Sequence, residues 1–408
     1  MEKTKKTPDL RFDGFERDWI RKTLKEVLIP YKEPIQTPHN GYERLGIRSH
    51  GKGTFHSYVP KGAELETAQM NIVRANHLIV NITFGWELAV AITNDKDEGK
   101  LVSHRFPQFS FNEGHNPLFF RYGLINERLR KYLNLASPGS AGRNRVLKID
   151  KMLEFDTIIP NQQEQIAIVE LFSNIEQRIN YQNITCEKLR NIKKALLTSL
   201  FPQGNNRQPK IRLKGFSGDW EEHILSEFAF RIKRKNENLE SENIMTISAN
   251  YGLISQSEFY NKRIASADLS GYYLMRKGEF AYNKSYSSEY PWGAVKRLDK
   301  YNEGVVSNLY IIFGIQNISS DFMSSYFMTG LWYNEVAMCA KEGARNHGLL
   351  NISADDFLAI RILIPGSLEE QQAIADLLLQ YDRLIQLNDQ KLEHLKNLKK
   401  ALLDKMFV

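Results

Sequence analysis

A long internal repeat constrains the architecture of this chain more than any other feature of its 408 residues. Residues 8–19 match residues 209–220 at an offset of 201, and proline, arginine, glycine, phenylalanine, aspartate and tryptophan are identical between them. Residues 164–201 match residues 370–407 at an offset of 206. A period near 200 residues is too long for a solenoid of short repeats. The sequence therefore predicts one frame that is built twice.

The segments between the matching ends, about 25–155 and about 226–360, differ far more than the ends do. Short runs at 77–82 and 308–313, apolar and rich in β-branched or aromatic residues, predict strands. The shared skeleton is sparse and consists of Arg74/Arg276, Asn81/Asn283, Ser103/Ser307 and Arg143-Asn144/Arg345-Asn346. These middles are expected to be mixed α/β domains that present different surfaces on a common frame.

The matching C-terminal segments predict long helices, because their apolar residues recur at the three- and four-residue steps of a coiled-coil seam. A helix over 161–200 would be about 60 Å long at 1.5 Å per residue. The seam positions are Ile175, Ile179, Gln182, Leu189, Ile192 and Leu196 in the first segment, and Tyr381, Ile385, Asn388, Leu395, Leu398 and Leu402 in the second. We expect the two helices to pair antiparallel. The pattern also allows each stripe to pack on its own domain.

The predicted fold is therefore α+β, with two mixed α/β domains joined by two long helices that form an antiparallel coiled coil with a pseudo-two-fold repeat. The predicted divisions are a first domain over 1–157, a first helix and linker over 158–204, a second domain over 205–362 and a second helix over 363–408.

Composition argues against several classes of protein. No apolar run approaches the roughly 18 residues of a spanning helix, and the N-terminus lacks the apolar stretch of a secretion signal, so a cytoplasmic protein is expected. Cys186 and Cys339 lack metal-ligand spacing and are expected to be packing residues. The formal charge of +7 permits a polyanionic partner without requiring one.

Three enzyme motifs are incomplete. Asn116-Pro117-Leu118-Phe119 has leucine where the loop of an amino-methyltransferase needs a second proline. The segment 46–53 has the glycines and lysine of a P-loop but glycine in place of the hydroxyl residue that binds Mg²⁺. The carboxylates of 94–100 could hold a metal for a nuclease, yet the segment is typical of a solvated turn. We expect no catalytic site, cofactor site or metal site in this chain.

Basic, amide and aromatic side chains concentrate in turns of both middles. Arginine and lysine can bind guanine or phosphate, and asparagine can bind adenine. The candidate DNA-binding residues are Arg48, Lys52, His104, Arg105, Arg143, Asn144, Arg145, Lys284, Tyr286, Lys296, Arg345, Asn346 and His347. Because the Arg-Asn pair recurs in otherwise different middles, it predicts a common backbone contact or structural loop and not the source of different specificities.

Each half opens with a Pro-x-hydrophobic-Arg-x-x-Gly-Phe-x-x-Asp-Trp motif, has Ile-Pro and Glu-Gln pairs before its long helix, and ends with Lys-Lys-Ala-Leu-Leu. By these motifs, over nearly its whole length, the chain resembles the specificity subunit of a Type I restriction-modification system. The resemblance implies that each domain reads one half of a bipartite, asymmetric site in double-stranded DNA. The helices would set the gap between the halves and dock two modification subunits.

The resemblance also implies chemistry that belongs to partners. The modification subunits would methylate adenine N6 with S-adenosylmethionine. Two restriction subunits would add translocation and cleavage that depend on ATP and Mg. The chain itself would be non-catalytic and would stay off membranes.

Two further expectations concern the starts of the long helices and the surfaces that bind partners. One more residue separates Pro365 from Glu370 than separates Pro160 from Glu164, which raises the question of whether both helices start alike. The Trp19 and Trp220 openings and the helices are expected to give two equivalent docking faces. The alternative function is a two-domain protein-interaction scaffold without DNA specificity, and DNA affinity separates the two.

Overall fold

A computed structural model describes residues 7–65, 67–139, 145–248, 252–260, 268–285, 290–340 and 350–408. The chain forms two compact units. The first unit comprises residues 1–183 and 390–408, and the second comprises residues 184–389. This division by contacts crosses both long helices. The division predicted from the repeat separates the helices from the domains, and it stays a prediction.

The first unit contains eleven strands within its described residues, and these form three sheets. They are β1 (Ile20–Thr23), β2 (Leu28–Tyr31), β3 (Pro34–Gln36), β4 (Tyr42–Ile47), β5 (Thr54–Val59), β6 (Gln69–Ile72), β7 (Leu78–Val80), β8 (Val90–Ile92), β9 (Leu101–Val102), β10 (Gln108–Phe111) and β11 (Asp156–Ile159). β1 pairs with β11, a four-stranded sheet has the order β2-β10-β7-β8, and a five-stranded sheet has the order β3-β6-β9-β4-β5. The helices are α1 (Leu24–Val27), α2 (Pro117–Gly123), α3 (Glu127–Leu135), α4 (Ile149–Leu153) and the start of α5 (Gln162–Ser199).

The second unit repeats two of these sheets in the same order. Its described strands are β12 (Glu221–Ile224), β13 (Ala229–Arg231), β14 (Met245–Ser248), β15 (Gly252–Ser255), β16 (Tyr273–Arg276), β17 (Phe280–Asn283), β18 (Ala294–Arg297), β19 (Glu303–Val306), β20 (Ile311–Ile315) and β21 (Arg361–Ile364). β12 pairs with β21, and a four-stranded sheet has the order β13-β20-β17-β18. The helices are α6 (Gln256–Tyr260), α7 (Ser320–Tyr326), α8 (Tyr333–Cys339), α9 (Ala354–Leu358) and α10 (Leu368–Met406).

The two predicted strands exist and are short. β7 consists of three fully buried apolar residues, as expected for the centre of a sheet. β20 begins at Ile311, later than the apolar pattern suggests, because the Tyr310 N–H donates to the Ser307 carbonyl at 3.1 Å and closes a turn.

The long helices match the predicted span, and within each unit the segments of α5 and α10 run antiparallel. In the first unit Lys399 of α10 pairs with Glu176 of α5 at 2.7 Å. In the second unit Lys193 of α5 pairs with Asp382 of α10 at 2.5 Å. Since Lys399 and Asp382 are the repeat equivalents of Lys193 and Glu176, the same ion pair forms in both units with the roles of the helices exchanged.

The residues of the predicted seam differ in burial, and their assignment to a coiled-coil seam stays a prediction. Gln182 is buried, and the other named seam residues are buried or half-buried apart from Ile192 and Leu398. Ile192 is 44% exposed and Leu398 is 40% exposed. An α-helix has 3.6 residues per turn and drifts about 20° per heptad from a 3.5-residue stripe, which turns late positions of such a stripe toward solvent.

Each helix end packs on a domain core, as the alternative interpretation of the stripes allows. Ile168 and Phe172 of α5 lie in the main core of the first unit. Ile374 and Leu378 of α10 lie in the main core of the second unit. Among the described residues no helix combines the length and apolar character needed to cross a bilayer.

Candidate nucleic-acid interface

A duplicated joint holds the opening segment of each half against the start of a long helix. In the first unit the Arg11 guanidinium donates to both oxygens of Glu164, at 2.7 and 2.8 Å. In the second unit Arg212 donates to Glu370 at 2.9 and 2.8 Å. Both carboxylates are buried, and the hydrogen bonds to Glu164 raise the pKa of Arg11 above its usual value. Each joint is thus a buried, bidentate ion pair.

A glutamine next to each buried glutamate connects the joint to a second helix, α2 in the first unit and α7 in the second. Gln165 Nε2 donates to the Pro160 carbonyl at 3.0 Å, and its Oε1 accepts from the Asn116 N–H at 2.8 Å. Gln371 makes the same two contacts, with the Pro365 carbonyl at 2.9 Å and the Ser319 N–H at 3.1 Å. The extra residue after Pro365 therefore leaves the joint unchanged.

The Trp19 and Trp220 indoles are core residues, so they do not themselves form a surface; that the openings and helices give two docking faces stays a prediction. Trp19 is 2% exposed and packs edge-on against Phe119, with ring centroids 5.8 Å apart. Trp220 is 0% exposed and packs against Phe322 at 5.9 Å. A buried indole removes a large apolar area from water and so stabilises the core of its own unit.

Candidate DNA-binding residues of the first unit meet at the end of the four-stranded sheet. Arg48 and Lys52 lie exposed in the turn between β4 and β5. This turn is anchored to the β7–β8 loop, since the N–H groups of His50 and Gly51 donate to the carbonyls of Glu87 and Leu88 at 2.7 and 2.9 Å. The His50 φ of 62° is left-handed, so the turn itself carries some strain. The exposed Arg48 and Lys52 thus lie in a turn that is held against the β7–β8 loop, and this turn is called the tip below.

Two further segments join this tip. The Ile82 N–H donates to the Arg105 carbonyl at 3.0 Å, which brings the exposed His104 and Arg105 beside the β7–β8 loop. The Arg145 guanidinium lies 5.2 Å from the centre of the Trp86 ring. It also donates to the carbonyls of Asn134 and Ser137, at 2.6 and 3.0 Å. Arg145 therefore positions the loop, and its role in DNA binding stays a prediction.

The second unit places different residues at the equivalent loop. Lys284 follows Asn283 at the end of β17, just as Ile82 follows Asn81 at the end of β7. The Leu350 N–H donates to the Lys284 carbonyl at 2.9 Å. In the first unit the Leu147 N–H donates to the Ile82 carbonyl at the same distance, 2.9 Å. The segments that carry the two Arg-Asn pairs thus end at the same contact.

A shared serine turn completes the correspondence. The Ser103 carbonyl accepts from the Phe106 N–H at 3.0 Å, and the Ser307 carbonyl accepts from the Tyr310 N–H at 3.1 Å. Arg105 and Leu309 occupy the same place in the two turns, and both are exposed. The serine side chains also accept from the Arg105 N–H and the Leu309 N–H, at 3.4 and 3.3 Å, which explains why serine recurs while the residue two positions later changes.

One predicted DNA-binding residue, Lys296, lies away from the others that the structure describes. Lys296 on β18 faces a cavity beside the helix pair and not the loop that carries Lys284. Six predicted DNA-binding residues lie outside the described residues: Arg143, Asn144, Tyr286, Arg345, Asn346 and His347.

Sequence reasoning missed Trp86 and misjudged one residue of an acidic turn whose other residues are mostly exposed. Trp86 shows no repeat or periodic signal, so only its contact with Arg145 identifies it. Asp97 belongs to a turn expected to be solvated, yet it is 1% exposed. Its carboxylate accepts hydrogen bonds from Thr54 and His56 at 2.9 and 2.8 Å, so it secures the turn to β5. Across the described part of the chain no group of three or more His, Cys, Asp or Glu is arranged to hold a metal ion.

The fold defines a class of protein in which one chain builds the same joint twice and attaches a different set of loops to each copy. Solved chains with this fold are S subunits of Type I restriction-modification systems. One is the S subunit from M. genitalium, with 15% identity, 98% of this chain and 99% of that chain covered, and a TM-score of 0.56. A chain from a structure on complex assembly and conformational transition of the type I R-M system has 16% identity, 96% and 98% coverage, and a TM-score of 0.52.

The HsdS subunit from Thermoanaerobacter tengcongensis also matches, with 17% identity, 96% of this chain and 97% of that chain covered, and a TM-score of 0.49. No protein-family model and no curated protein matches the sequence.

Proposed function

We propose that this chain is the DNA-specificity subunit of a Type I restriction-modification complex. Each unit would read one half of a bipartite, asymmetric site in double-stranded DNA. The observation that carries the proposal is the duplicated joint: identical ion pairs and glutamine contacts support loops of different composition at equivalent places. A common frame with two variable loop sets suits the recognition of two unlike half-sites. The likeness to solved S subunits adds support at the level of fold.

Electrostatics supports DNA as the ligand of the first unit. Arg48 lies 5.1 Å from the centre of the Phe55 ring, which covers Gly46 on the neighbouring strand and holds the guanidinium at the tip. Lys52 and Arg105 are exposed beside it. Exposed lysine and arginine side chains in a turn can contact phosphates and base edges of DNA.

The partners follow from the same proposal. The chain would be non-catalytic, and S-adenosylmethionine, ATP and Mg would bind to two modification and two restriction subunits. Docking would use exposed helix positions that recur in both helices, such as Tyr181 and Leu387, which are 72% and 61% exposed. Leu189 and Leu395 are half-buried, so they suit the helix pair better than a docking surface.

The decisive experiment is methylation mapping. The chain is expressed with its modification subunit, and N6-methyladenine is located across a plasmid by sequencing. We expect one split motif with a fixed nonspecific gap, because each unit contributes one half-site. Random methylation, or none from an assembled complex, would contradict the proposal and favour a protein-interaction scaffold.

Arg105 and Leu309 provide a matched test of independent reading. Arg105→Ala should relax or weaken the half-site of the first unit, and Leu309→Ala should affect the half-site of the second unit. A bidentate arginine–base pair contributes about 1–3 kcal/mol of discrimination, so Arg105→Ala should change the first half by roughly ten-fold or more. Leu309→Ala removes only an apolar contact, so its effect on the second half should be smaller. The methylated motif of each variant provides the measurement. If either variant alters both halves, the units do not read independently.

A further inference from the structure

The second unit contains a cavity of about 720 Å³ that is separate from the loop carrying Lys284. Residues of α5, β18 and α10 line it, together with Gly252 at the start of β15. Five of its lining side chains are basic and three are aspartates. The basic residues are Arg190, Lys193, Lys194, Lys296 and Arg297. A cavity this large holds a ligand and several water molecules.

Three of the five cations have carboxylate partners. Arg190 pairs with Asp389 at 2.5 Å, and Arg297 pairs with Asp321 of α7 at 2.6 Å. Lys193 pairs with Asp382 in the cross-helix contact described above. Within the described part of the chain, no carboxylate lies within 4.0 Å of the ammonium groups of Lys194 or Lys296. Among the described residues, these two lysines therefore form no direct ion pair.

Lys296 is the more unusual of these two lysines. Burial lowers the pKa of Lys296 from the ordinary value, the nearby Lys193 ammonium lowers it further, and the Asp382 carboxylate opposes the shift only in part. Its ammonium lies 5.8 Å from the centre of the Tyr290 ring. A desolvated ammonium that faces another cation is costly, and an anion bound between them would offset both the desolvation and the repulsion.

The corresponding strand of the first unit lacks these charges. β7 and β17 are equivalent strands that align at Asn81 and Asn283. From the pairing of β7 with β8 and of β17 with β18, Ala91 is then the equivalent of Lys296, and Ile92 is the equivalent of Arg297. Ala91 and Ile92 are both buried apolar residues. The two basic residues of β18 are therefore specific to the second unit, because the equivalent strand of the first unit has alanine and isoleucine at these positions.

We propose that this cavity binds a backbone phosphate of the DNA through Lys194 and Lys296, in the segment that separates the two half-sites. The proposal rests on the proposed function, since it assigns a contact of the same DNA. A phosphodiester keeps its charge at every relevant pH, and lysine binds it as a point charge without reading sequence. Because the helix pair forms one wall of the cavity, the contact belongs to DNA near the helices and not to the bases at the loop tips.

The test uses the full chain in complex with its modification subunits. Lys194→Met, Lys296→Met and the double variant are compared with wild type in DNA binding as a function of salt. Each phosphate contact that is lost should lower the slope of log K against log salt by roughly 0.9. Between 50 and 200 mM salt, the loss of affinity should then be about three- to four-fold smaller per contact. The change should be equal for DNA with and without the recognition site, and the methylated motif should stay the same.

Two controls make the result specific. Lys400→Met removes the repeat equivalent of Lys194 from the first unit and should leave the slope unchanged, and Lys296→Arg should retain it. The proposal would be overturned if both lysine-to-methionine variants kept the wild-type slope of log K against log salt, or if they lost affinity for only one DNA sequence. If the wild-type complex bound all DNA sequences equally, the proposed function would be overturned instead.

The source of the phosphate is tested separately. If inorganic phosphate raises the melting temperature of wild type but not of Lys296→Met, while the salt dependence of DNA binding is the same for both, the cavity binds free phosphate and its assignment to DNA is wrong.

Discussion

Replacing Arg212 with methionine is expected to destabilise the second unit by about 3–5 kcal/mol. Glu370 is 2% exposed, and the Arg212 guanidinium supplies two hydrogen bonds to its carboxylate. Removing the guanidinium leaves a buried carboxylate without its counter-charge, which costs more than the intact pair contributes. Hydrogen exchange followed by mass spectrometry measures the effect at β12 and β21. A segment-resolved probe is required because a chain of two units need not unfold in one step.

The first unit provides the matched control. Trp19 Nε1 donates to Glu164 at 3.2 Å, whereas Trp220 Nε1 finds no hydrogen-bond partner among the residues that the structure describes. After Arg11→Met, Glu164 therefore keeps one donor, and the loss at β1 and β11 should be smaller than the loss from Arg212→Met. Equal losses from the two arginine variants would contradict a stabilising role for the Trp19 indole.

The repeat predicted the joint without revealing its contacts. Arg11, Glu164 and Gln165 recur in the second half, so sequence comparison identified all three as parts of the common frame. Their partnership depends on a contact between residues 153 positions apart, which periodicity does not encode. The helix spans were predicted closely, because a long apolar stripe with proline before it determines a helix by local rules.

Side-chain direction was the main limit in predicting the site. Lys284 and Lys296 are both basic residues at the ends of neighbouring strands, and composition treats them alike. Lys296 pairs across the sheet with Ala281, which fixes the face to which its side chain points. A strand's register is set by its partners, and a shift of one residue reverses the face of every side chain. The carbonyl partners of Arg145, Asn134 in α3 and Ser137 just after it, could not be read from the sequence for a similar reason, and its role in DNA binding stays a prediction.

The sequence also left open which helix end packs on which unit. Phe201 follows α5, yet it lies in the core of the second unit, 5.7 Å from Trp220 between ring centroids. Phe407 follows α10 and packs in the first unit, 5.4 Å from Phe119. Backbone contacts agree, since the Leu10 N–H donates to the Lys405 carbonyl and the Ile211 N–H donates to the Ser199 carbonyl, at 2.9 and 2.8 Å. Equivalent residues have identical patterns in both halves, so a repeat cannot distinguish packing on its own half from packing on the other.

This exchange of helix ends predicts which unit each phenylalanine stabilises. Phe201 is 0% exposed, and Phe201→Ala should destabilise the second unit by about 3–5 kcal/mol, because it removes a fully buried ring beside Trp220 and Phe322. Phe407→Ala should destabilise the first unit by less, since Phe407 is only partly buried. Hydrogen exchange should increase at β12 and α7 for Phe201→Ala, and at β1 and α2 for Phe407→Ala.

The reciprocal pattern is the informative result, because each variant serves as the control for the other. A protein in which every helix end stabilised the half that encodes it would show the opposite assignment, with Phe201→Ala loosening β1 and Phe407→Ala loosening β12. That outcome would refute the exchange. The observed contacts require that the last residues of the chain close the first domain, so removing residues 401–408 should expose β1 and α2 to exchange while β12 and α7 stay protected.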